Sequence, residues 1–150
     1  MVRSFLSARR TRIAFSDYTS RWFDTDTGIP QGSTLSPALF IIFIADLLQL
    51  FKEVSGNVLG FGFVDDTTLI TWGDSAEANC GRLTLAHDKC LAWAKRFGAK
   101  FAPEKYQVIH FTKKKRITDN LKSTVSIQGH NAELVNSLRV LGVWLDPRLS

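Results

Sequence analysis

The sequence predicts an α+β domain in which an antiparallel sheet packs against two long helices. Three observations lead there. Leu39, Phe40, Phe43, Ile44, Leu47 and Leu48 recur at helical spacing, and so do Leu83, Ala86, Cys90, Trp93, Ala94 and Phe97. Between these stripes lie two β-prone runs, Val58–Val64 and Thr67–Trp72, joined at Asp65-Asp66. A hairpin lying on helices would bury both stripes on one face.

Each element follows from local chemistry. Residues 1–10 make a short helix end with Phe5 and Leu6 inward. Arg12–Phe15 and Ser20–Phe23 read as short strands around a polar turn at Ser16-Asp17, and Asp24–Gly28 as a polar loop. Two glycines and two prolines between Gly28 and Pro37 make a defined loop. Ser36 before Pro37 reads as an N-cap with proline at the first helical position, opening a helix to about Lys52 that Gly56 or Asn57 ends. Ser75 caps the second long helix, Glu77 suits its dipole, and Gly98 closes it. Tyr106–Phe111 alternates as a strand, and a basic run, Lys113–Arg116, follows as a loop. Thr124–Ile127, a turn at Gln128–Asn131, and Leu138–Leu145 predict a last small β unit.

Composition bounds the partners. The 150 residues are one domain or part of one, 45% hydrophobic and without repeats. A net charge of +5 favours an anionic partner such as nucleic acid. Cys80 and Cys90 share one predicted helix, roughly 15 Å apart along its axis, too far for a disulfide. Both read as reduced thiols, which predicts an intracellular protein. The longest apolar run, Ala38–Phe51, contains Asp46 and Gln49 and is too short to span a bilayer, and no signal peptide is evident. Nothing in the sequence sets an oligomeric state.

Asp65 and Asp66 hold the chemistry. Neighbours on a continuous strand point to opposite faces, so the pair serves one site only if the chain turns there. At the tip of a hairpin, two crowded carboxylates repel, and a hard divalent cation relieves them. A Mg²⁺ platform and an ordinary type I turn with aspartate at its first positions are both open on these residues alone.

Gly28-Ile29-Pro30-Gln31-Gly32-Ser33, with Leu35-Ser36-Pro37 and Leu39-Phe40, resembles motif B of non-LTR retrotransposon reverse transcriptases. Phe63-Val64-Asp65-Asp66 is similar to their motif C, in the same order and spacing. Leu91-Ala92-Trp93-Ala94, Phe97-Gly98, Phe101, Pro103 and Lys105 resemble motif D. Leu141-Gly142-Val143 with Leu145-Asp146 resembles the start of the primer grip and thumb connection, and Ser4-Phe5-Leu6-Ser7 with Arg9 resembles the stretch before motif B. The resemblance covers nearly the whole chain. It implies the C-terminal part of a polymerase palm within an RNA-directed DNA polymerase. The parent protein would take an RNA template, a DNA primer and deoxynucleoside triphosphates, and would work in the nucleus.

The resemblance also assigns roles. Asp65, the more direct ligand, and Asp66, the auxiliary one, would hold Mg²⁺ in a two-metal site for in-line nucleotidyl transfer. Pro30, Gln31, Gly32 and Ser33 would sit beside the nascent base pair, with glycine allowing close backbone approach. Lys105 would protonate the leaving pyrophosphate or offset its charge; a solvated strand-edge lysine is the alternative. Lys113–Arg116 would contact phosphates or form a solvated basic loop. The family also uses a third metal-binding aspartate, in motif A, on the strand beside the hairpin. Asp17, Asp24 and Asp26 do not match it. The chain is therefore expected to be a palm fragment lacking fingers, motif A and thumb. The alternative is a catalytically inactive remnant that at most binds nucleic acid through its basic surface. The Asp-Asp tip should be exposed near the Pro30–Ser33 loop, with one edge of the sheet unpaired.

Overall fold

The computed structural model describes residues 2–52, 54, 56–112 and 122–149. The basic run at Lys113–Arg116 lies outside them. The chain divides into two compact units, residues 1–43 and 44–150.

The first unit opens with α1 (Val2–Leu6). Strands β1 (Arg10–Thr11), β2 (Ala14–Phe15), β3 (Tyr18–Thr19) and β4 (Phe23–Asp24) then form a broken hairpin. Phe15 pairs with Tyr18 across the Ser16-Asp17 turn, and Arg10 with Asp24 at the open end. The register shifts by one residue between the two ladders, placing a bulge at Arg12, Arg21 and Trp22. Ile13, Phe15, Tyr18 and Phe23 are all exposed.

Helix α2 (Ser36–Lys52) starts one residue earlier than the sequence suggests. Ser36 is not an N-cap. Its hydroxyl donates to the Pro30 carbonyl at 2.6 Å instead. In the second unit the end of this helix turns Leu47 and Phe51 into the main core, where they meet Cys90, Trp93 and Ala94.

The hairpin of β5 (Val58–Phe63) and β6 (Asp66–Thr71) lies on that core. Its register runs from Val58 opposite Thr71 to Phe63 opposite Asp66. The pleat puts Gly60, Gly62 and Leu69 on the helix side. Gly60 has to be glycine: a Cβ there would stand 2.0 Å from the Phe51 ring. The hairpin thus rests directly on an aromatic ring that a side chain would displace.

Helix α3 (Ala76–Phe97) has the expected ends: Ser75 accepts from the Ala78 N–H at 3.1 Å, and Gly98 closes it at φ 68°. Ala86, Cys90, Trp93 and Ala94 are buried along its stripe, while Phe97 is partly exposed. Cys80 and Cys90 are both buried free thiols.

The C-terminal part departs from expectation. Tyr106–Phe111 is not one strand. After a 3₁₀ turn at Pro103–Lys105, only β7 (Gln107–Val108) is regular. Strands β8 (Ser126–Ile127) and β9 (His130–Asn131) form a hairpin over Gln128-Gly129, and β10 (Glu133–Leu134) pairs with β7 in parallel. Strands β11 (Leu138–Val140) and β12 (Val143–Leu145) close over Leu141-Gly142. The expected single antiparallel sheet is therefore corrected: the described strands form separate two-stranded ladders, one of them parallel. Each ladder is too short to bury a face by itself, and in the second unit α3 packs against the β5–β6 and β8–β9 hairpins. Val125, Ile127 and Ala132 pack with Cys80 in a second core.

Candidate active site

The Asp pair sits where the hairpin turns. Phe63 and Asp66 close the ladder, leaving Val64-Asp65 as a two-residue loop. Tip and strand start are thus divided between the two acids: Asp65 is in the turn, and Asp66 is the first residue of β6. This corrects the expectation that Asp65 and Asp66 together form the tip: the register moves the turn one residue back, to Val64-Asp65. Val64 adopts φ 52°, whereas Asp65 is not in the positive-φ region. That is the type II′ pattern, whose first central residue is normally glycine. A β-branched side chain in this conformation is strained by about 1–3 kcal/mol. The strain is held by the six-residue ladder and by the contacts of Gly60 and Leu69 beneath it.

Asp65 and Asp66 are both exposed. Among the described residues neither carboxylate makes an ion pair or accepts a hydrogen bond, and no group of three His, Cys, Asp or Glu side chains is assembled. Two unpartnered carboxylates are a chemically fitting donor set for a hard divalent cation, though not a complete cage.

A cleft of about 890 Å³ lies beside the hairpin, within the second unit. Asp66 and Lys105 both line it, so the structure brings these two candidates to one cavity, while Asp65 is not part of the lining. Lys105 is exposed and ends the 3₁₀ turn that Pro103 begins. Leu83, His87 and Cys90 of α3 line the cleft as well.

His87 is a packing residue. It is 7% exposed, and its Nε2 lies 2.7 Å from the Tyr106 hydroxyl. Its Nδ1 is buried without a partner among the described residues. Burial lowers the His87 pKa below its ordinary 6.5, partly opposed by the charge of Asp88. Burial also raises Tyr106 to about 12, with Cys90 and Glu104 adding, and raises Cys90 to about 11. Burial thus favours the uncharged form of all three groups.

Pro30, Gln31, Gly32 and Ser33 belong to the first unit. Gln31 and Gly32 form an exposed turn with Gly32 at φ 81°. Ser33 accepts from the Leu35 N–H at 3.3 Å, and the Ser36 N–H donates to the Ser33 carbonyl at 3.2 Å. With the Ser36–Pro30 bond, these contacts fix the loop at the head of α2.

Residues 1–145 match the protein family described as reverse transcriptase (RNA-dependent DNA polymerase). The chain belongs to that family. It is 27% identical over 153 residues to the RNA-directed DNA polymerase from mobile element jockey of Drosophila melanogaster. It is 28% identical over 152 residues to the probable RNA-directed DNA polymerase from transposon X-element of the same species, and 26% identical to the jockey polymerase of Drosophila funebris. Each match covers 100% of this chain and 16% of the relative. The chain therefore spans about a sixth of the length of these curated relatives. No solved structure matches it. The resemblance to non-LTR retrotransposon reverse transcriptases is thus borne out, and the mixed helix and strand content agrees with a palm-like domain. No described helix is long and apolar enough to cross a membrane.

Proposed function

We propose that this chain is the C-terminal part of the palm of a non-LTR retrotransposon reverse transcriptase. The protein that carries it would copy an RNA template onto a DNA primer with deoxynucleoside triphosphates, within the nucleus. The observation that supports this most is the Val64-Asp65 turn. In a chain of this family, a strained two-residue loop presents adjacent, unpartnered carboxylates to solvent.

In this reading Asp65 and Asp66 hold Mg²⁺. When bound there, divalent cations offset charge on the attacking and leaving oxygens of an in-line displacement. Lys105, lining the same cleft as Asp66, would neutralise the leaving pyrophosphate. The Pro30–Ser33 turn would lie against the nascent base pair, where exposed backbone and the Gln31 amide can contact sugar and template.

The test is a chimera in which this chain replaces the matching segment of a full-length mobile-element polymerase. RNA-templated primer extension should proceed, and Asp65→Asn should reduce it on the order of 10³-fold, about 4 kcal/mol of transition-state stabilisation. A folded chimera that is inactive, or whose synthesis survives Asp65→Asn, would contradict the reading.

A second reading is favoured by one observation: the described residues assemble no third metal ligand. By itself the 150-residue chain would then bind nucleic acid without turnover. Robust Asp65-dependent incorporation by the purified chain would exclude it.

A further inference from the structure

Lys105 stands on a turn that does not hold itself. The 3₁₀ turn at Pro103–Lys105 is closed by two backbone bonds, from the Lys105 N–H to the Ala102 carbonyl at 2.9 Å and from the Tyr106 N–H to the Pro103 carbonyl at 3.1 Å. A turn of this length has no stability of its own, so the residues on either side set its placement. Both sides meet one ring. Phe101, before the turn, lies against His87 with ring centroids 5.6 Å apart, and Tyr106, after it, stands edge-on to the same imidazole at 5.1 Å. The Tyr106 hydroxyl is 2.7 Å from His87 Nε2, and the Tyr106 carbonyl accepts from the Glu133 N–H at 2.8 Å. Phe101 packs on the main core and Tyr106 on the second, and His87 touches both.

We propose that His87 is a positioning residue for Lys105: from the buried face of α3 it holds Phe101 and Tyr106, and through them the turn that carries Lys105. This role rests on the reading of Lys105 as the group that neutralises the leaving pyrophosphate. Asp66, His87, Phe101, Lys105 and Tyr106 all line one cleft. Three features set His87 apart from a residue that only fills space. It is buried on a helix fixed by caps at both ends, so its ring is a rigid reference point. Its partner is a hydroxyl, and a hydrogen bond fixes distance and direction where apolar contact lets a ring slide. Its Nδ1 is buried without a partner among the described residues, a cost that a leucine would avoid. A polar ring that bears this cost serves geometry more than stability.

Hydrogen exchange at the Lys105 and Tyr106 amides of the 150-residue chain reads the turn without catalysis. Tyr106→Phe removes only the hydroxyl and should speed both at least about 10-fold, while the β5–β6 amides stay unchanged. His87→Leu should do the same, and His87→Gln, whose amide reaches the Nε2 position, should restore most of the protection. In the chimeric polymerase, Tyr106→Phe should lower kcat about 10-fold with the triphosphate KM unchanged. Lys105→Ala combined with Tyr106→Phe should be no slower than Lys105→Ala alone. Unchanged exchange in both Tyr106→Phe and His87→Leu overturns the proposal. Losses that multiply in the double variant also overturn it, because the pair is then a stabilising contact only. Lys105→Ala at the full rate removes the pyrophosphate role and the positioning role with it; accelerated exchange in the same set of variants then shows that the catalytic reading failed and not the hold of His87 on the turn.

Discussion

Val64 shows at the scale of one residue how the site is built. Its φ of 52° makes the turn that carries Asp65 and leads into Asp66, and the residue is 63% exposed, so little packing is lost on removing its side chain. Val64→Gly should therefore leave stability unchanged or raise it by about 0.5–1 kcal/mol in denaturant unfolding; a loss above about 1 kcal/mol would show that the turn is not strained. Gly60 behaves oppositely. Gly60→Ala drives a methyl into Phe51 and should cost about 1–3 kcal/mol by the same measurement. His87 gives the pH dependence. Its folded pKa is lowered, so below pH 6.5 the unfolded chain takes up a proton that the folded chain resists. Stability then falls as pH drops through that value. At the alkaline end, Tyr106 holds its proton up to about 12 while the unfolded phenol ionises near 10, so stability is lost as pH rises through that interval. Unfolding midpoints measured across pH, with His87→Gln flattening the acid limb, check the sign.

At the scale of elements, α3 is the organiser, and its ends were legible. Ser75 and Gly98 act locally, so their chemistry shows in the sequence. Ser75→Ala should cost about 1 kcal/mol of thermal or denaturant stability by freeing the Ala78 N–H. The existence of the hairpin was legible for the same reason: apolar runs on either side of one polar break. The turn itself was not, because a valine in a left-handed conformation contradicts its own preference and is imposed by the ladder. The Ser36–Pro30 bond was equally invisible, since Ser-Pro reads locally as a cap and only the folded loop brings the Pro30 carbonyl to the hydroxyl. The β7–β10 pairing joins residues far apart in sequence and in parallel, which no local periodicity encodes. Tyr106–Phe111 alternates like a strand but finds a ladder partner only at Gln107–Val108.

At the scale of the whole chain, family membership and the site candidates emerged from motif order, whereas the cleft emerged only from the fold. Asp66 and Lys105 are far apart in sequence and meet at one cavity. In the proposed function the end of the β5–β6 hairpin holds divalent cations. Titrating Mn²⁺ into the isotope-labelled chain and reading paramagnetic broadening of each amide tests it most directly. Broadening should centre on Val64–Thr67 at low Mn²⁺ and disappear in Asp65→Asn. Broadening spread evenly over other exposed acids such as Asp74, Asp88 and Glu104, or unchanged in Asp65→Asn, would contradict the account.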